Sequence, residues 1–239
     1  MAVIAQAIAD LRQRIESACR AAGRDPSTVR LLPVSKTRPP SDIREVYEAG
    51  CRRVGENRVQ EAWAKHLELA DLPDLEWAVI GHLQSNKAKV VAEFATEFQA
   101  LDSLELAAAL DRRLQRAGRQ LDVLIQVNTS QEASKSGLAP GEVVRFAAGL
   151  TPFDALRIRG LMTIAMPSLD PALVAPCFEQ LAGLQDELRQ AAAPGQSYDE
   201  LSMGMSGDFE LAIAAGSTCV RVGTAIFGKR RIDKALPPG

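Results

Sequence analysis

The residues of this 239-residue chain that are best suited to chemistry lie near its C-terminus, where glycines alternate with hydroxyl side chains. Residues 202–208 read SMGMSGD, and Gly223-Thr224 follows a short apolar run. Glycines let the backbone approach an anion closely, and helix-start N–H groups and hydroxyls donate hydrogen bonds to it. The two segments therefore predict a phosphate site. In the alternative interpretation the glycines only form turns and Ser206 only caps a helix.

A second reactive group is Lys36, which ends the mostly apolar run VRLLPVSK at 29–36. A dry environment lowers the pKa of a lysine, and the neutral amine is a nucleophile that forms Schiff bases with carbonyl compounds. In the alternative interpretation the stem of Lys36 lies along the protein surface and its ammonium group reaches water.

A third group is Arg221, whose guanidinium stays protonated and only donates hydrogen bonds. It pairs either with a carboxylate such as Asp102 or with an acceptor on a ligand. An imine-forming lysine, a phosphate site and a donor-only arginine together describe a site for an aldehyde that carries a phosphate. Pyridoxal 5′-phosphate (PLP) fits this description, and so does a phosphosugar bound by a Schiff-base aldolase.

The composition excludes several other classes of function. Hydrophobic residues make up 46% of the chain and charged residues 24%, with a net charge of -2, which is typical of globular proteins and not of nucleic-acid or anionic-membrane binders. The 4 cysteines and 2 histidines lack the spacing of a zinc site or a disulfide framework. The N-terminal segment carries Gln6, Asp10 and Arg12 among its apolar residues, so it does not resemble a signal peptide. We expect a cytoplasmic protein that binds neither nucleic acid nor membrane.

The elements that must position these groups follow a regular alternation. Apolar residues at helical spacing predict an N-terminal helix. Strand-like runs then alternate with helical segments, which indicates a parallel sheet; the runs cover 29–36, 53–57, 76–81, 97–101, 121–128, 156–163, 201–205 and 219–227. Their number and the chain length favour a single (β/α)8 TIM-type barrel over residues 1–239, with an extra N-terminal helix. A doubly wound open sheet is the alternative, because periodicity does not show closure.

Active sites of such barrels lie at the C-terminal ends of the strands. Polar residues at and just after each predicted strand end are therefore the candidates. They are Ser35-Lys36-Thr37, Gly55-Glu56-Asn57, Gly81-His82, Asp102-Ser103, Asn128-Thr129, Met162-Thr163, Ser202 to Asp208, and Arg221 to Thr224.

The motifs around these positions decide between the alternatives. They read LLPVSKTRP (31–39), GENRVQEA (55–62), IGHLQSNK (80–87), QVN and SKSG (within 126–137), LMTI (161–164), LSMGMSGDFELAI (201–213) and VRVGTAIFG (220–228). With these motifs in this order, the sequence closely resembles the pyridoxal-phosphate homeostasis proteins, whose single domain is similar to the barrel of fold-type III alanine racemases. Arg58 departs from the family pattern, and we expect it to point outward.

The resemblance implies PLP as the cofactor and a role for each site residue. It makes Lys36 the Schiff-base lysine and places Arg221 at the pyridine nitrogen. Ser206, Gly223 and Thr224 would hold the phosphate, and Asn57 would lie beside the ring. The residues implied as further lining are Ser202, Met203, His82 and Asn128.

The resemblance also implies a protein that binds PLP without catalysing a reaction and affects vitamin B6 and amino-acid metabolism indirectly. An arginine at the pyridine nitrogen keeps the ring a weak electron sink. The racemases use a second, β-rich domain that supplies a catalytic tyrosine, whereas Tyr47 and Tyr198 fall away from the predicted barrel mouth. We expect a monomer whose partners are PLP and apo-enzymes that need it. The alternative is a weak racemase-like enzyme with Lys36 as its base.

Overall fold

The computed structural model describes residues 2–130, 132, 136–168, 170–192 and 196–228. Ser134 and Lys135 of the SKSG motif lie outside the described residues, as do residues 229–239 of the predicted domain.

Strands and helices alternate along the described chain. The strands are β1 (Arg30–Pro33), β2 (Arg53–Glu56), β3 (Glu76–Val79), β4 (Glu97–Leu101), β5 (Leu121–Gln126), β6 (Leu156–Met162), β7 (Glu200–Ser202) and β8 (Cys219–Val222). The α-helices are α1 (Ala2–Ala21), α2 (Pro40–Glu48), α3 (Val59–Glu68), α4 (Ala88–Phe94), α5 (Leu104–Ala117), α6 (Val143–Gly149), α7 (Pro171–Ala191), α8 (Phe209–Ala214) and α9 (Thr224–Phe227). Short 3-10 helices cover Pro26–Thr28, Ser85–Lys87 and Pro140–Glu142.

Local sequence signals account for the boundaries of α5. The Ser103 side chain accepts a hydrogen bond from the Leu106 N–H at 3.2 Å, which caps the first turn. The helix ends at Ala117 and is capped by Gly118, whose φ of 61° is left-handed and favours glycine. Between these caps, the buried side chains of Leu106, Leu110 and Leu114 form one helical stripe against the barrel.

The strands form a barrel of parallel strands. The described residues contain an 8-stranded sheet in the order β1-β8-β7-β6-β5-β4-β3-β2, and each strand pair is parallel. The edges β1 and β2 meet through a parallel bridge between Val34 and Gly55, where the Ser35 N–H donates to the Gly55 carbonyl at 2.9 Å. The barrel prediction is confirmed, and the open-sheet alternative is wrong because this contact closes the sheet.

The predicted N-terminal helix is also confirmed. Ile8, Leu11 and Ile15 are buried, and α1 packs against α2 and α8. It therefore lies on the outside of the barrel between α2 and α8.

The last predicted strand, 219–227, is wrong in its second half. β8 ends at Val222, and the N–H groups of Ile226 and Phe227 donate to the Gly223 carbonyl at 3.0 Å in the first turn of α9. A short apolar run has no periodicity that separates a strand from one helical turn, and Gly223 is where the backbone changes direction. This correction moves Thr224 from a strand interior to the start of a helix. The predicted strand 201–205 is likewise too long, because β7 ends at Ser202.

Candidate functional site

A pocket of about 350 Å³ opens at the C-terminal ends of the strands. Every residue that the sequence placed in the primary site lines it, namely Lys36, Asn57, Ser206, Arg221, Gly223 and Thr224. The other lining residues are Val34, Arg38, Ile80, Ile164, Met205, Gly207, Phe227 and Gly228. Among these described residues three side chains are basic and none is acidic, so the pocket favours an anionic ligand.

A larger cavity of about 660 Å³ lies at the opposite ends of the strands, beneath α1. Its inner basic side chains, Arg30 and Arg53, are already paired with carboxylates, Glu97 and Glu76 among them. The active sites of such barrels are found at the C-terminal face, where the smaller pocket lies. We therefore place the candidate site in the smaller pocket.

The loops after β7 and β8 meet at one wall of the pocket. The hydroxyls of Ser206 and Thr224 lie 3.2 Å apart, and the Ala225 N–H donates to Ser206 Oγ at 3.4 Å. A Cβ on Gly223 would lie 3.2 Å from the Val34 carbonyl oxygen, so a larger residue would crowd β1. The wall thus presents two hydroxyls beside a helix start, which is an arrangement that suits a phosphate.

Lys36 follows β1 at the pocket mouth and is half-buried. The next residue, Thr37, has a φ of 63°, which is a left-handed conformation that β-branched residues rarely adopt. Such a conformation costs about 1–3 kcal/mol and persists only where surrounding contacts impose it. The backbone beside Lys36 is therefore held by other parts of the structure.

Asn57 lies in the pocket because the loop after β3 packs directly on its backbone. A Cβ on Gly81 would lie 2.2 Å from the Asn57 carbonyl oxygen, so only glycine fits this contact. Asn57 Oδ1 is buried and has no hydrogen-bond partner among the described residues. Buried polar atoms are nearly always paired, so this oxygen indicates a donor that a ligand would supply.

Arg221 forms part of the pocket floor, and only 4% of it is exposed. Its Nη1 donates to the carbonyl and hydroxyl oxygens of Ser202 at 2.6 and 2.8 Å, and its Nη2 donates to the Thr163 carbonyl at 2.7 Å. Burial lowers the pKa of Arg221 from its ordinary value. These partners replace the carboxylate pairing with Asp102 that the sequence left open.

A chain of hydrogen bonds continues from Arg221 into the barrel. Ser202 Oγ donates to Gln99 Oε1 at 2.7 Å, and Gln99 Nε2 donates to the buried carboxylate of Glu97. Because the carboxylate only accepts, it fixes the Gln99 amide with its oxygen toward Ser202. The Ser202 hydroxyl then turns its lone pairs toward Arg221.

Glu97 itself is held by cations from strands that are not its neighbours. Arg30 of β1 donates to both Glu97 oxygens at 3.0 Å, and Arg53 of β2 donates to Oε2 at 2.5 Å. Since β1 and β2 do not adjoin β4, these contacts cross the barrel interior. The guanidinium at the pocket floor is therefore anchored through the whole depth of the barrel.

Comparisons with known proteins show the family of this chain. The profile of the family described as alanine racemase, N-terminal domain, matches residues 7–231. A relative from Pseudomonas aeruginosa, named pyridoxal phosphate homeostasis protein, is 45% identical over 230 residues, which cover 96% of this chain and 97% of the relative. The chain belongs to the pyridoxal phosphate homeostasis protein family.

Solved structures of PipY from Synechococcus elongatus are similar over nearly the same length. The structure described as having PLP bound is 41% identical with a TM-score of 0.83, and covers 94% of this chain and 100% of that one. The structure described as being without PLP is 43% identical with a TM-score of 0.85 and the same coverage.

Several residues that the homeostasis-protein resemblance implied as further lining do not line the pocket. Ser202 and Met203 are buried beneath it, and Ser202 contacts Arg221 instead. Asn128 Nδ2 donates to the Glu132 carbonyl at 2.9 Å within its own loop. His82 is mostly exposed, with Nδ1 3.9 Å from Asp102 Oδ2, and burial raises the pKa of Asp102.

Other predictions from the sequence concern residues outside the pocket. Arg58 is exposed, as expected. The Tyr47 hydroxyl donates a hydrogen bond to Asp74 Oδ1. Tyr198 lies just before β7, and its burial raises its pKa to about 12. Neither tyrosine lines the pocket.

Some lining residues were missed by the sequence reasoning. Arg38 lies two positions beyond Lys36, and its Nη2 donates to the Gly228 carbonyl at 2.5 Å across the mouth. Phe227 was not recognised as a lining residue because residues 219–227 were predicted to form one strand. The apolar Ile80 and Ile164 carry no polar signal, although each follows a strand end.

The described residues contain no cluster of histidine, cysteine, aspartate or glutamate that could hold a metal ion. The four cysteines are buried and free. No helix in the described part of the chain is long and apolar enough to cross a membrane.

Proposed function

We propose that this chain binds PLP in the pocket at the barrel mouth and holds it as a non-enzymatic carrier in PLP homeostasis. The names of its relatives and the PLP-bound structure of PipY support this proposal. In this proposal the chain acts as one domain over residues 1–239, as a cytoplasmic monomer, and passes PLP to apo-enzymes that need it.

The residues of the pocket fit PLP in three separate respects. The hydroxyl wall of Ser206 and Thr224 suits the phosphate. The orphaned Asn57 Oδ1 suits a polar group on the ring edge. The basic lining suits the negative charge of the whole molecule. A phosphosugar, whose hydroxyls also donate, would share all three features, and the names of the relatives together with the PLP-bound PipY structure favour PLP.

PLP, when bound, supplies an aldehyde and a pyridine ring. We propose that Lys36 Nζ attacks the aldehyde carbon, so that a C=N bond forms and water leaves. This link must be reversible if PLP is to be released. The phosphate wall lies on a different loop from Lys36, so it binds PLP independently of the covalent link.

Arg221 would face the pyridine nitrogen from the pocket floor. Since a guanidinium only donates and stays charged, it leaves the nitrogen unprotonated. An unprotonated ring withdraws electrons weakly, which suits carriage of PLP better than carbanion chemistry.

The observation that carries the non-enzymatic role is the lack of a second acid or base. Of the described residues that line the pocket, none is a tyrosine, histidine, cysteine, aspartate or glutamate. Proton transfer at a substrate carbon from both faces needs a group on each side, and Lys36 serves only one.

Exchange of the Cα proton of amino acids with solvent deuterium tests this role. We expect the PLP-loaded protein to exchange the Cα proton of common amino acids no faster than free PLP at the same concentration. Faster exchange that Lys36→Ala abolishes would establish the racemase-like alternative. Nuclear magnetic resonance of the amino-acid pool gives the rate, with free PLP as the control.

A further inference from the structure

A second lysine, Lys65 on α3, lies behind the pocket and is only 6% exposed. Its Nζ donates to the Ser35 carbonyl at 2.8 Å, to Glu56 Oε1 at 2.6 Å and to Glu61 Oε1 at 2.7 Å. An ammonium group has three N–H donors, so all of them are taken. We call Ser35, Glu56, Glu61 and Lys65 the Lys65 cluster.

The cluster contacts the residues immediately beside the proposed PLP ligands. Ser35 precedes Lys36, and Glu56 precedes Asn57. Ser35 Oγ also donates to Glu56 Oε1 at 2.7 Å, so the ends of β1 and β2 are tied together. The cluster therefore lies where the barrel closes.

Glu61 holds the other side of Lys36. The same Oε1 atom that accepts from Lys65 accepts from the Thr37 N–H at 2.5 Å. Thr37 is the residue in the unfavourable left-handed conformation, which needs such a contact to persist. Hydrogen bonds thus hold the residues on both sides of Lys36. Lys65 donates to the Ser35 carbonyl, and Glu61 accepts from the Thr37 N–H.

We propose that Glu61 and Lys65 are positioning residues that hold the backbone of residues 35–37 so that Lys36 points at the PLP aldehyde. This inference rests on the proposed function. It also explains why Lys36, and not the nearby buried Lys65, is the amine that condenses: every N–H of Lys65 is engaged, and Lys65 does not line the pocket.

Glu61→Ala is the variant that tests this proposal. The Glu61 side chain is 25% exposed, so its loss does not leave a buried cavity. We expect PLP affinity to fall about tenfold, whereas affinity for pyridoxine 5′-phosphate, which lacks the aldehyde, stays within about twofold. A general loss of structure would lower the affinities for both ligands.

Two further variants complete the test. Glu61→Gln keeps an acceptor oxygen for the Thr37 N–H, and we expect it to recover most of the PLP affinity. Glu68→Ala removes an exposed glutamate from the same helix and is expected to change neither affinity. Fluorescence or absorbance titration measures all affinities, and the unfolding midpoint of each free variant shows that it is folded.

The outcomes separate this inference from the function on which it rests. Two results would overturn the positioning role while PLP binding by the wild-type protein stands. In the first, Glu61→Ala binds PLP as tightly as the wild-type protein does. In the second, its affinities for PLP and for pyridoxine 5′-phosphate fall by the same factor. A covalent label on Lys65 of the wild-type protein would also overturn the positioning role. If wild-type protein fails to bind PLP, the proposed function fails first.

Discussion

Thr224→Asp is expected to lower the affinity for PLP about 100-fold. The substitution replaces a hydroxyl, 3.2 Å from Ser206 Oγ, with a carboxylate at the proposed phosphate site. Like charges in contact cost several kcal/mol, and about 2.7 kcal/mol corresponds to the stated change. Absorbance titration of the purified variant with PLP measures the affinity.

Pyridoxal and two control variants make this result specific to the phosphate. Pyridoxal lacks the phosphate, so its affinity should change little in Thr224→Asp. Thr224→Val removes the hydroxyl without adding charge and should lower the affinity for PLP about tenfold. Thr151→Asp adds the same charge at an exposed position outside the pocket lining and should have no effect. Equal losses for PLP and pyridoxal would contradict the assignment.

Arg221→Lys is expected to lower the free energy of unfolding by about 2–3 kcal/mol. The guanidinium spans the Ser202 and Thr163 oxygens, and a single ammonium group does not reach both sets. At least one buried acceptor then loses its donor. Urea unfolding measures the change, and the exposed Arg116→Lys is the matched control, expected within about 0.5 kcal/mol of wild type.

The same variant tests the place of Arg221 beside the pyridine ring. A lysine differs from an arginine in position and in its ability to lose a proton, so the absorption spectrum of bound PLP should change. An unchanged spectrum together with an unchanged unfolding energy would show that Arg221 neither faces the ring nor supports the pocket floor.

The predicted site residues line one pocket because parallel barrels place every strand end on one rim. Lys36, Asn57, Ser206, Arg221 and Thr224 come from four different strand ends, and the strand-end rule found each from local apolar runs. The rule failed where a run had two interpretations. Phe227 was assigned to a strand because one turn of helix and a short strand look alike in an apolar stretch.

Contacts across the barrel were beyond local reasoning. Closure depends on the pairing of Val34 with Gly55, and the support of Arg221 depends on Gln99. The Lys65 cluster joins α3 to the ends of β1 and β2, and a lysine on an amphipathic helix gives no sign of being buried. These features join residues that are far apart in sequence and come into contact only in the folded chain.

Borohydride reduction of the PLP-loaded wild-type protein, followed by peptide mapping, shows which lysine carries PLP. We expect a yellow protein whose visible band disappears on reduction, with one pyridoxyl group per chain attached to Lys36. A label on another lysine, or a band that survives reduction, would contradict this expectation.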